Sequence, residues 1–233
     1  MADRKLLLFS AILLLVGAAV YQVAEHFHPE GGATANDVFT SYAGSPSWAL
    51  VHDAQFLGSA LVLFGLLTLC LALHISMGIL GMVNRFAAAT AIVAIALNAA
   101  LYAVDGVGLK QATDAWLSAP PEEQSAYYAV VQGIRGIEWG MRSYVDFTTG
   151  LTLIVLAIVI AITARIPRLI GVIVGLAGLA YIVQGYEYAA GYTSISERFV
   201  LNSSNYQFLM VVWAIWLLIV AWRRKEISAA ALA

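Results

Sequence analysis

Apolar residues occur along the chain in long runs broken by polar stretches. A helix crossing about 30 Å of hydrocarbon needs roughly 20 mostly apolar residues. Six runs qualify: 5–24, 49–73, 86–109, 143–164, 167–190 and 206–222. The pattern predicts an all-α polytopic transmembrane bundle of six helices, a single domain over 1–233. Arg4 and Lys5 ahead of the first run would also suit a signal peptide, but a retained span is the expectation.

Composition narrows the class. Of the 233 residues, 61% are apolar and 11% charged, with a formal net charge of −2. An ordinary soluble domain is about 45–50% apolar and about 25% charged. A soluble enzyme, a disordered regulator and a nucleic-acid binder working by bulk positive charge are thereby excluded. The single cysteine, Cys70, excludes an intramolecular disulfide framework and a Cys-rich zinc site.

Basic residues predict the orientation. With a cytoplasmic N-terminus, Arg4, Lys5, Arg85, Arg165, Arg168, Arg223, Arg224 and Lys225 lie inside, and Lys110, Arg135, Arg142 and Arg198 outside. Six spans return the C-terminus to the cytoplasm. Asp3 and Glu226 fall inside, and the other acids fall in the outer half with His26, His28 and His52. Outer loop length accounts for Glu30, Asp37, Glu122 and Glu123. It does not account for Asp53, Asp105, Asp146 or Glu187, which sit in the end turns of apolar helices.

The inside links are short, and Pro167 predicts a break between spans four and five. The outer links, 25–48 and 110–142, are long. The second predicts two short helices. Ser118-Ala-Pro-Pro-Glu-Glu-Gln reads as the capped start of the second one, which can run on into span four past Gly133, Gly136 and Gly140. Gly171, Gly175 and Gly178 form a small-residue face for close helix packing. Asn202-Ser203-Ser204 matches a glycosylation acceptor.

Polar side chains inside the spans fall at helical spacings. His52, Gln55 and Ser59 share one face of span two; Asn98, Tyr102 and Asp105 share one face of span three. Lys110 follows five residues after Asp105, so the pair acts jointly only if Gly106 and Gly108 unwind the helix end. Glu138, Arg142 and Asp146 form an ion ladder at spacings of four, with Arg135 one turn earlier and Tyr144 alongside. Span five adds Gln184, Glu187 and Tyr188. Charged groups in a span face the bundle interior or a water cavity. His52, Gln55, Tyr102, Asp105, Lys110, Glu138, Arg142, Tyr144, Asp146, Gln184 and Glu187 are therefore expected to line one outward-facing polar vestibule.

Several chemistries can be weighed against such a site. His26, His28 and His52 with an acid could hold zinc or copper, although His26 and His28 point apart in a helix. Haem is disfavoured, because His52 and His74 sit at opposite ends of one span. Lys110 is too near the edge for a retinal Schiff base. Proton-coupled transport would use the acids, but polarity at the midplane is thin. No catalytic motif identifies a nucleophile.

Four segments carry a resemblance: Trp48-Ala-Leu-Val-His52-Asp-Ala-Gln55-Phe-Leu-Gly58, Asp105-Gly-Val-Gly-Leu-Lys110, Gly136-Ile-Glu138-Trp139-Gly140 and Ile166-Pro167-Arg168-Leu-Ile-Gly171. They resemble a family of bacterial six-helix integral membrane proteins described only as a domain of unknown function. The resemblance implies a prokaryotic cytoplasmic (inner) membrane and supplies no activity. The expected function is binding of a small molecule or lipid headgroup in the vestibule, or service as an accessory subunit of a membrane complex. A membrane-embedded enzyme, metal-dependent or not, and a proton-coupled transporter are the alternatives. Expected partners are membrane lipids, a second copy or a larger membrane complex, and no nucleic acid.

Overall fold

The computed structural model describes residues 2–29, 34–75, 78–191 and 203–223, with side chains of 203–207 excepted. The expectations for Glu30, Glu197, Arg198, Asn202, Arg224, Lys225 and Glu226 lie outside the described residues. Among the described residues every regular element is helical: α1 (Arg4–His26), α2 (Ala35–Ala43), α3 (Trp48–Ala72), α4 (Gly78–Tyr102), a π-helical segment (Ala103–Leu109), α5 (Lys110–Ser118), α6 (Gln124–Thr163), α7 (Arg168–Ala189) and α8 (Ser203–Arg223).

Local chemistry sets several boundaries. The Asp3 side chain caps α1 by accepting from the amides of Lys5 and Leu6, at 2.8 and 3.1 Å. Thr34 and Asp37 make a reciprocal capping box at the start of α2. α6 stops at Thr163, Ala164 adopts a left-handed turn and Pro167 starts α7, where the proline predicted a break. The second expected start signal falls elsewhere. Ser118 closes α5 instead of capping the next helix, the Pro120 carbonyl forms a turn with Glu123 and Gln124, and α6 begins after Glu123. From there α6 runs through all three glycines as one helix of 40 residues, about 60 Å at 1.5 Å per residue.

Five stretches are long and apolar enough to cross a membrane: Arg4–His26, Trp48–Ala72, Gly78–Ser118, Gln124–Thr163 and Arg168–Ala189. The sixth expected span corresponds to α8, whose apolar stretch, Phe208–Arg223, is shorter than those five. The long helices form a ring in the order α1, α3, α4, α6, α7, α8, and α8 closes it against α1. Arg4 Nε donates to the Ala221 carbonyl at 3.3 Å across that closure.

Two seams of the ring are very close. A Cβ at Gly17 would lie 2.6 Å from the Gly58 carbonyl oxygen, and one at Gly58 would lie 2.6 Å from the Tyr21 nitrogen. The α6–α7 seam repeats the device: a Cβ at Gly150 would sit 2.7 Å from the Gly178 oxygen, and one at Gly178 would sit 2.9 Å from the Gly150 oxygen. Only glycine permits this backbone approach. Hydroxyls bridge the same seams, Ser10 to the Gly65 carbonyl at 2.8 Å and Ser143 to the Gly185 carbonyl at 2.7 Å.

The two ends of the ring differ. Arg4, Lys5, Arg165, Arg168 and Arg223 mark a basic end, toward which the interior is solid apolar packing built on Leu7, Leu66, Leu69, Leu156, Ile160 and Leu217. The other, polar end carries α2, α5 and the first turns of α6. These enclose a separate aromatic cluster of Phe39, Tyr42, Trp48, Trp116 and Tyr128.

Candidate functional site

The π segment organises the polar end. Its wider turn re-aims the last part of α4 and buries Asp105 and Gly106 against α3. Trp48 Nε1 donates to the Gly106 carbonyl at 2.9 Å. The Trp48 ring stacks on His52 with centroids 4.0 Å apart. His52 Nδ1 donates to the Trp48 carbonyl at 2.9 Å, which turns Nε2 toward Asp105 Oδ2 at 3.5 Å.

Asp105 belongs to an ion network that joins the π segment to α6. Arg142 reaches Asp105 Oδ2 at 3.1 Å with Nη2 and Glu138 Oε1 at 2.8 Å with Nε. Arg135 Nη1 lies 3.0 Å from Glu138 Oε2 and 4.0 Å from Asp105 Oδ1. Glu138 has no solvent exposure, and both carboxylates are nearly enclosed. Aromatic faces complete the shell: Arg135 lies over Trp139 at 5.1 Å and Tyr42 at 5.7 Å, and Arg142 over Tyr188 at 5.7 Å.

Below this network, at the centre of the ring, lies a cavity of about 360 Å³. All six helices contribute to it. Tyr21 and Gln22 come from α1, Ser59 and Leu63 from α3, and Asn98 and Tyr102 from α4. Arg142, Asp146 and Thr149 come from α6, Tyr181 and Gln184 from α7, and Phe208, Met210 and Val211 from α8. Gln22 and Phe208 are exposed, which places a mouth between α1 and α8. Arg142 joins the two levels, paired with carboxylates above while lining the space below.

Most predicted site residues gather here, at two levels. Tyr102, Arg142, Asp146 and Gln184 line the cavity, whereas His52, Asp105 and Glu138 form the network beside it. Gln55 is buried and donates from Nε2 to Glu25 Oε2 at 2.7 Å. Glu187 is buried one turn beyond Gln184. Two predicted residues depart from the expectation. Lys110 binds Asp114 at 2.6 Å and the Ala43 carbonyl at 3.0 Å, not Asp105, because the π segment carries it out to α5. Tyr144 is 64% exposed on the outer face of α6, since it falls half a turn from Arg142.

The histidine set divides as well. His28 approaches His52 with ring centroids at 5.2 Å, but His26 is exposed and packs edge-on against Phe27. Among the described residues, no three His, Cys, Asp or Glu side chains gather in a way that could hold a metal ion. Burial, reinforced by neighbouring His52, holds His28 below the ordinary imidazole range. Burial raises the Tyr42 phenol, against the opposing pull of Arg135.

The structure adds residues that the sequence did not place in the site. Tyr21 and Gln22 were legible as polar positions near the end of the first apolar run. Ser59 and Asn98 shared predicted faces, and Asn98 Nδ2 donates to Ser59 Oγ at 2.9 Å. Tyr181 falls one turn before Gln184, at the same helical spacing. Compared with protein-family models, curated proteins and solved structures, the chain matches none.

Proposed function

We propose that this chain is a six-span protein of a prokaryotic cytoplasmic membrane, with both termini in the cytoplasm, that holds a small amphiphile or a lipid headgroup in its central cavity. The concentration of Arg and Lys at one end of the ring supports the orientation. The cavity itself carries the functional reading. Its volume, about 360 Å³, is that of a small-molecule pocket (about 300–1,000 Å³). Polar groups from α1, α3, α4, α6 and α7 converge on it, and Val62, Leu63, Leu101 and Val145 supply apolar wall. The solid packing toward the basic end supports binding over passage.

Native mass spectrometry of the detergent-extracted protein, with metal analysis, tests this. The expected result is a retained molecule on the order of a few hundred daltons, lost in Val145→Trp, whose indole fills the cavity. Retention unchanged in that variant, or no retained molecule in the parent protein, would overturn the reading. A stoichiometric metal would favour an enzyme instead.

A further inference from the structure

The carboxamide of Gln184 distinguishes among the ligands such a cavity could hold. Gln184 is 8% exposed and lines the cavity. Its Oε1 has no hydrogen-bond partner among the described residues. A buried acceptor left without a donor is costly, and such atoms are rare in folded proteins. Asp146, also on the cavity wall, stands on neighbouring α6 and is itself engaged within the fold. The cavity's cation, Arg142, is already engaged by Glu138 and Asp105, so its charge is committed to those acids.

From this we infer that the ligand's polar head donates hydrogen bonds and carries no negative charge, as a hydroxyl or an ammonium group does. The inference rests on the cavity being a binding site. A donating head satisfies Gln184 Oε1. A carboxylate or phosphate head offers Gln184 Oε1 no hydrogen. The tail then lies against Leu63, Val145 and Met210.

Three probes with one tail test the head alone: dodecanol, dodecylamine and laurate. They would be titrated at pH 8 against the full chain in phosphatidylcholine nanodiscs, with binding followed by native mass spectrometry. Dodecanol or dodecylamine should bind at least tenfold more tightly than laurate. The stronger of the two identifies the head as hydroxyl or ammonium. Gln184→Leu should weaken the donor-headed probes about tenfold, the scale of one buried hydrogen bond, and leave laurate unchanged. Gln184→Glu, which keeps an acceptor, should retain them. Melting curves of both variants without probe establish that they fold. Laurate binding as tightly as the others would overturn the head assignment while leaving the cavity as a site. Failure of all three, with the parent protein folded, would overturn both.

Discussion

At the scale of single residues, the network around Arg142 combines large gross energies into a small net one. The two carboxylates are almost wholly removed from water, and the two arginine side chains that pair with them are three-quarters buried or more. Their attraction roughly offsets the desolvation of each, so the intact cluster adds little net stability. Removing one member is different, because it leaves an uncompensated buried charge. Glu138→Gln and Arg142→Ala should each cost about 3–5 kcal/mol. Glu122→Gln, on an exposed turn, should stay within about 0.5 kcal/mol. Thermal melts of the three variants in one detergent check this, and equal midpoints would contradict the network.

His28 gives a residue-scale pH dependence. Its folded value is held below the ordinary 6.5, so the unfolded chain takes up the proton first. Stability is therefore undiminished above about pH 6.5 and declines as pH falls through the lowered folded value. The melting temperature should drop between pH 7 and 5.5. His28→Phe, which keeps a ring against Trp48 and His52, should flatten part of that drop. A variant curve parallel to the parent's would show that other groups carry it.

At the scale of elements, the two glycine seams fix how close neighbouring helices stand. Gly58→Ala and Gly178→Ala place a methyl where backbone already lies within 3 Å. Each should cost about 1–3 kcal/mol through forced separation. Gly136→Ala, with nothing within 4 Å of its Cβ position, should be neutral or stabilise α6 by up to about 1 kcal/mol. Chemical denaturation of the three proteins ranks them. The Gly171-to-Gly178 face was legible as a packing surface because small residues at helical spacing have few other uses in a span. The Gly17–Gly58 seam was not, since two isolated glycines on different runs do not announce that they meet.

At the scale of the whole molecule, the long apolar helices were legible because hydropathy is a one-dimensional property. Their closure into a ring was not, because it depends on which faces meet. Asp105, Glu138 and Arg142 pair with one another, and an Asp or Arg in a span has little choice but to face inward. What the letters could not separate was a paired network from the open space below it. The distinction turns on the π segment, where Asp105, Gly106 and Gly108 gave a hint of irregular backbone but no register. That same irregularity sends Lys110 outward to Asp114, so the break in the helix at the glycines does not bring it to Asp105.

The ring's closure by α8 has a consequence for biogenesis. Ribosomes deliver the amino-terminal segments first, so the wall from α1 to α7 exists before its final stave arrives. During that interval Asp146, Arg142 and Gln184 face an unfinished flank. A nascent chain halted before residue 203 would thus lack the wall that Phe208, Met210 and Val211 supply, leaving a slot edged with charge.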